Sequence, residues 1–198
     1  MSKKRRSGNG FPFKLTLNAP VTLAFTAICL GALVLNFVTG GKSNSLLFIT
    51  YHSSLKDPLT YLRFFTHIIG HGGWEHFMSN TTYLLLLGPM LEEKYGGKVL
   101  LWTMGITALV TSLTHYILFP NAALCGASGV VFAFILLTSF TSVKSGEIPV
   151  TFILVAVIFL GEQIVTGFTQ ADDISNLSHV LGGVVGSAVG FAINKNKR

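Results

Sequence analysis

Apolar residues in this chain come in runs that approach the roughly 20 residues a helix needs to span a hydrocarbon core. The runs predict six transmembrane helices, over residues 21–40, 76–91, 99–119, 128–143, 149–168 and 179–194. The expected fold class is an all-α membrane protein, a six-helix bundle with one long outer loop, residues 41–75, between helices 1 and 2. The middle of that loop, KDPLTYLRFFTHIIGHGGWEH, is amphipathic and too short to span, so it reads as interfacial. Long loops in compact proteins are often functional. No internal repeat or low-complexity segment stands out, which leaves an inverted-repeat transporter without support.

Composition fits the same solvent. Half of the 198 residues are apolar and 11% are charged, against about 25% charged in ordinary soluble domains. One bundle, residues 21–194, uses most of the length, between a short basic tail, 1–20, and a basic C-terminus, 195–198. The tail MSKKRRSGNGFPFK precedes a run of full spanning length with no small-residue cleavage site after it, and reads as a retained anchor. Cys29 and Cys125 do not make a disulfide framework.

Charge sets direction. Eleven of the 14 Lys and Arg fall on one face: Lys3, Lys4, Arg5, Arg6, Lys14, Lys94, Lys98, Lys144, Lys195, Lys197 and Arg198. Lys42, Lys56 and Arg63 are on the other. An even number of spans puts both termini on the Lys/Arg-rich side, which is cytoplasmic. The net charge of +6 is then a topology signal and not a nucleic-acid footprint.

Length arithmetic brings polar residues to one depth. From Ser128 to Val143 is roughly 23 Å at 1.5 Å per residue, short of a core about 30 Å thick. His179 to Lys195 and His76 to Glu92 give similar lengths, and Asn80 lies one turn below His76 on the same face. Three helices running from outside to inside would thus meet at their N-terminal ends, with free amide donors and positive dipole ends. Polar groups at that depth need a water-filled cavity or protein around them.

Each residue has a plain alternative. A lone serine flanked by Gly126, Ala127 and Gly129 reads as a close-packing site, and Gly182, Gly186 and Gly190, every fourth residue, read as a flat contact face. Yet a histidine at the top of such a face needs a polar partner, and Ser128 with His179 makes an activated nucleophile with its general base. His76 and Asn80 are either capping and packing residues or donors aimed at a developing oxyanion, helped by the Ser128 N–H. His71 is a further candidate donor. A zinc reading of His67, His71 and His76 lacks an HExxH, a carboxylate at helical spacing and a second cysteine nearby, so no metal and no cofactor is expected. His52 and His115 read as interfacial or packing residues. Glu162 and Gln163 face the bundle interior or its outer rim. Arg63 either snorkels to head groups or braces the outer loop. Asp172 and Asp173 belong to a solvated cap, so packing must orient His179.

GASG around Ser128, SHVLGG around His179 and HFMSN with His76 and Asn80, in this order, resemble the rhomboid intramembrane serine proteases of the bacterial GlpG-like six-helix type. The resemblance covers nearly the whole chain from about Val21. It departs at Leu62, where an aromatic residue often precedes the arginine, and at Ser178, where alanine often precedes the histidine. It implies a Ser128–His179 dyad without an acidic third member, and an oxyanion hole of His76, Asn80 and the Ser128 amide. Gly126 would border the substrate backbone. Transmembrane protein substrates and membrane lipids would be the partners, with cleavage near the outer face of a bacterial inner membrane. A non-catalytic relative that binds unstable transmembrane helices is the alternative.

Overall fold

The computed structural model describes residues 16–141, 147–169 and 173–195. The basic tail through Lys14, the loop carrying Lys144, Asp172 and the last three residues lie outside this set. Eight α-helices are described: α1 Pro20–Val38, α2 Pro58–Thr66, α3 Trp74–Tyr95, α4 Gly97–Leu118, α5 Ser128–Thr138, α6 Val150–Val155, α7 Gly161–Thr169 and α8 Asp173–Lys195. A π-helical turn, Ala156–Leu160, joins α6 to α7 without a break, and another, Asn44–Phe48, follows α1. One antiparallel ladder interrupts the all-helical pattern: β1 (Thr50–Tyr51) pairs with β2 (Ala123–Leu124), Thr50 opposite Leu124.

Among the described residues three helices are long and apolar enough to cross a membrane: α1, α4 and the Ser175–Lys195 stretch of α8. α3 is as long as α4 but carries Glu75, His76 and Asn80 near one end and Glu92, Glu93 and Lys94 near the other, which dilutes its hydropathy. Val150–Val165 and Ser128–Thr138 are apolar but shorter.

Helix ends differ from the sequence expectation in informative ways. α8 starts at Asp173, six residues before His179, because the polar DISNLS stretch continues the helix. α3 starts at Trp74 and runs to Tyr95, where Gly96 (φ +82°) turns the chain directly into α4. α5 ends at Thr138, five residues early. The hydroxyls of Thr138 and Thr141 bond back to the carbonyls of Phe134 and Thr138, the local competition that frays serine- and threonine-rich helix ends.

α5 runs through the middle of the molecule, with Val130, Ala133, Phe134, Leu136 and Leu137 fully buried. Leu84 and Leu91 of α3 and Leu100, Met104 and Ala108 of α4 complete that core. α8 lies backbone to backbone on α5. A Cβ at Gly182 would sit 2.0 Å from the Gly129 carbonyl oxygen, and one at Gly186 2.0 Å from that of Ala133. The every-fourth glycines are therefore a packing face. At the other end of the bundle, the buried Glu92 carboxylate accepts from the Val21 and Thr22 N–H groups (2.9 and 3.0 Å) and the Thr22 hydroxyl (2.9 Å), satisfying amides at the start of α1.

The segment between α1 and α3 is built around Arg63, which is 2% exposed. Its guanidinium donates to the Leu46 carbonyl (3.2 Å), Ser53 Oγ (3.1 Å), Thr60 Oγ1 (3.3 Å) and Asp57 Oδ2 (3.1 Å), and lies over the Tyr51 ring. Arg63 braces this segment and does not snorkel.

Candidate active site

The loop that delivers Ser128 is held from three sides. The β1–β2 ladder fixes Ala123 and Leu124, His115 Nε2 donates to the Ala122 carbonyl (3.2 Å), and the Gly126 N–H donates to the His67 carbonyl (2.9 Å). Gly126 has φ +125°, a conformation that L side chains rarely adopt. Its missing side chain leaves space that His76 fills. A Cβ there would stand 2.6 Å from His76 Cε1 and Nε2, and 3.7 Å from Asn80 Nδ2.

Ser128 is the first residue of α5, at a helix start whose amides are unpaired within the helix. His76 is the third residue of α3, and Asn80 lies one turn further on. Asn80 is 5% exposed, and its Nδ2 has no hydrogen-bond partner among the described residues. A buried amide donor without a partner is costly unless something else accepts from it. It lies beside the bare face of Gly126.

His179 approaches from α8. Its ring stacks flat on Phe132, centroids 4.4 Å apart and planes 4° off parallel, and Phe132 is one turn along α5 from Ser128. The carbonyl of Ser178 lies 3.5 Å from where a Cβ on Gly129 would be. The immediate neighbours of Ser128 and of His179 thus touch. His179 Nδ1 donates to Gln163 Oε1 on α7 at 2.6 Å. His179 is the seventh residue of α8, so the expectation of three converging helix N-termini holds only for Ser128 and His76.

His71 packs its ring edge against His76, centroids 5.1 Å apart. Its Nδ1 donates to the Ile69 carbonyl (3.0 Å), which leaves Nε2 of the neutral ring as an acceptor and not the donor its place in the sequence suggests. His67 bonds through Nε2 to the Thr111 hydroxyl (3.2 Å). Burial pushes both rings down to about 4, with the neighbouring His76 adding to the effect at His71. The unfolded chain, with histidines near 6.5, binds more protons than the folded one between those values. Stability from these residues is complete above pH 6.5 and is lost as pH falls towards 4, by about 3 kcal/mol for each ring. The melting temperature in detergent should therefore fall steeply from pH 7 to 4.5, and His67→Gln should flatten that slope. A profile identical to wild type would remove His67 as a cause.

Among the described residues no three His, Cys, Asp or Glu side chains come together to hold a metal. Cys29 and Cys125 are both unpaired thiols. His52 stacks on Tyr116 at the surface. Glu162 is exposed, whereas Gln163 is half-buried against His179. Two neighbours of the histidine carried readable signals. Phe132 is four residues from Ser128 on the same helix face, and Gln163 is a lone amide in an apolar run. No sequence pattern indicates the His67 carbonyl or the short ladder.

A family model described as the rhomboid domain matches residues 58–196. The chain is 30% identical over 147 residues to Rhomboid-related protein 1 of Caenorhabditis elegans, covering 68% of this chain and 40% of that protein. It is 22% identical over 149 residues to Rhomboid-like protein 11, chloroplastic, of Arabidopsis thaliana, 68% of this chain and 53% of that one. It is 26% identical over 194 residues to Rhomboid protease GlpG of Enterobacter sp. (strain 638), covering 95% of this chain and 69% of the relative. The chain thus spans about half the length, or less, of the first two.

Proposed function

Because the chain belongs to the rhomboid family, we propose that it is an intramembrane serine endopeptidase that cleaves transmembrane proteins near the outer membrane face. The observations that support this reading are His76 and Asn80 of α3 set against the bare face of Gly126, two residues before Ser128, and His179 of α8 stacked on Phe132, one turn along α5 from Ser128. In the reaction, Ser128 Oγ attacks the scissile carbonyl carbon while His179 Nε2 takes the hydroxyl proton. Negative charge develops on the carbonyl oxygen, where the Ser128 N–H, the Asn80 amide and the His76 ring donate to it. The C–N bond then breaks, the amine leaves with the proton from His179, and an acyl ester remains on Ser128. Water, deprotonated by the same nitrogen, hydrolyses the ester and restores the hydroxyl.

Gly126 lines the substrate backbone, since no side chain stands between it and His76. His71 supports the His76 ring from behind. An apolar groove of about 510 Å³, lined by Tyr83, Leu86, Ile135, Val155 and Phe159, opens between α3 and the α6–α7 helix and suits a hydrophobic substrate segment. A helical substrate must unwind locally to reach Ser128, which favours glycine and other weak helix formers near the cut. In this reading residues 21–194 form a six-span catalytic domain in a bacterial inner membrane, both ends cytoplasmic, with lipid and substrate helices as its partners.

A fluorophosphonate probe tests the reading directly. It should label the purified protein in detergent on Ser128, Ser128→Ala should abolish labelling, and His179→Ala should slow it by orders of magnitude. Absence of labelling in a folded wild-type sample would favour a non-catalytic helix-binding protein.

A further inference from the structure

We infer that Gln163 is a positioning residue for the general base, acting as a neutral third member behind Ser128 and His179. This rests on the protease reading above. The contact is a 2.6 Å hydrogen bond in which His179 Nδ1–H donates to Gln163 Oε1. An amide oxygen can only accept, so the bond fixes the Nδ1–H tautomer and leaves the Nε2 lone pair as the one available for the serine proton. Phe132 sets the plane of the ring and Gln163 sets its rotation within that plane.

The register of α7 on α8 explains how a residue from an apolar helix reaches this place. The Leu160 side chain fills the space over Gly183, where a Cβ would meet Leu160 Cδ2 at 2.5 Å. In antiparallel helices, three residues on from Leu160 faces one turn back from Gly183, which is His179. The π-helical turn Ala156–Leu160 lies immediately before α7. Its extra residue per turn rotates the face of α6 relative to that of α7 by roughly 100°.

A neutral acceptor suits a half-buried site better than a carboxylate, whose desolvation would have to be offset there. During turnover the Nδ1 proton stays on His179 while Nε2 takes and returns the serine proton. Around the ring, α5 presents Phe132, one turn from Ser128, and α7 presents Gln163, with the exposed Glu162 as its titratable neighbour.

Three variants and two readouts test the inference. Gln163→Leu should lower kcat roughly 10- to 100-fold with KM unchanged, less than the ~10⁴ lost where a carboxylate orienter is replaced. Gln163→Glu should keep most of the turnover and move the acid limb of the pH–rate profile upward, because a carboxylate favours the imidazolium. Gln163→Asn, one methylene short, should resemble Gln163→Leu. Independently of activity, ¹⁵N-histidine NMR should show a hydrogen-bonded Nδ1–H on His179 that disappears in Gln163→Leu. Turnover and pH profile unmoved by Gln163→Leu, in a folded variant, would overturn the inference alone. No turnover in the wild-type chain would overturn the protease reading, and the inference with it.

Discussion

Ser128→Ala is expected to reduce cleavage of a transmembrane substrate to the uncatalysed background while leaving the fold intact. Removing a serine nucleophile outright costs on the order of 10⁶ in kcat where it has been measured in a serine protease. The fold should not notice, because Ser128 sits at the first position of α5, where the N-cap is Ala127 and alanine is a good helix former. The expected result is an unchanged melting temperature with no detectable product from a fluorogenic transmembrane substrate in liposomes. Asn80→Ala provides the graded comparison. It deletes one of the proposed oxyanion donors and should cost about 10²–10³ in kcat, leaving measurable turnover. Retained cleavage in Ser128→Ala would end the nucleophile assignment whatever the other variants do.

The residues in that argument were legible in the sequence because their relations are short-range. His76 and Asn80 share a face by being four apart on one helix, and Gly126 lies two residues from Ser128, so helix geometry alone groups them. What brings the two groups together is a backbone conformation at Gly126 that only the absence of a side chain reveals. The depth of His179 was also inferred, but on a premise the structure replaces. α8 starts six residues earlier than its polar N-terminal stretch suggested, so the start of α8 does not lie beside the imidazole. His179 is held instead by an aromatic face and an amide oxygen.

Other features left no periodic trace. A ladder of two residues on each strand is too short for alternation to register, yet β1 and β2 tie the segment after α1 to the loop before Ser128. The two readings of Arg63 separate only once its acceptors are seen, since they come from positions 46, 53, 57 and 60. The Gln163–His179 bond joins two helices whose register is marked by Leu160 packed over Gly183, and apolar sequence alone does not give that pairing. Polar contacts between helices are set by packing, so they become readable only after the small-residue faces have fixed which helices touch.

Those faces give the second large effect. Gly182→Ala adds one methyl group 2.0 Å from the Gly129 carbonyl oxygen, with backbone and no movable side chain on the other side. Overpacking of this kind typically costs about 1–3 kcal/mol, or roughly 3–10 °C in a chain of this size. A bulkier residue, as in Gly182→Leu, should prevent α8 from docking on α5 at all. Gly31 is the control: it lies inside α1, nothing stands within 4 Å of the position a Cβ would take, and Gly31→Ala should be neutral or gain about 1 kcal/mol from helix propensity. The two glycine variants separate packing from propensity, because both add the same methyl to a helix interior. Gly182→Ala should also lose activity beyond its loss of fold. Gly129 follows Ser128 and Gly182 lies three residues after His179, so pushing the helices apart there widens the gap between hydroxyl and imidazole. A displacement of about 1 Å costs on the order of 10²-fold in rate. If Gly182→Ala melted and turned over like wild type, the close contact of α5 with α8 would not be what holds nucleophile and base together.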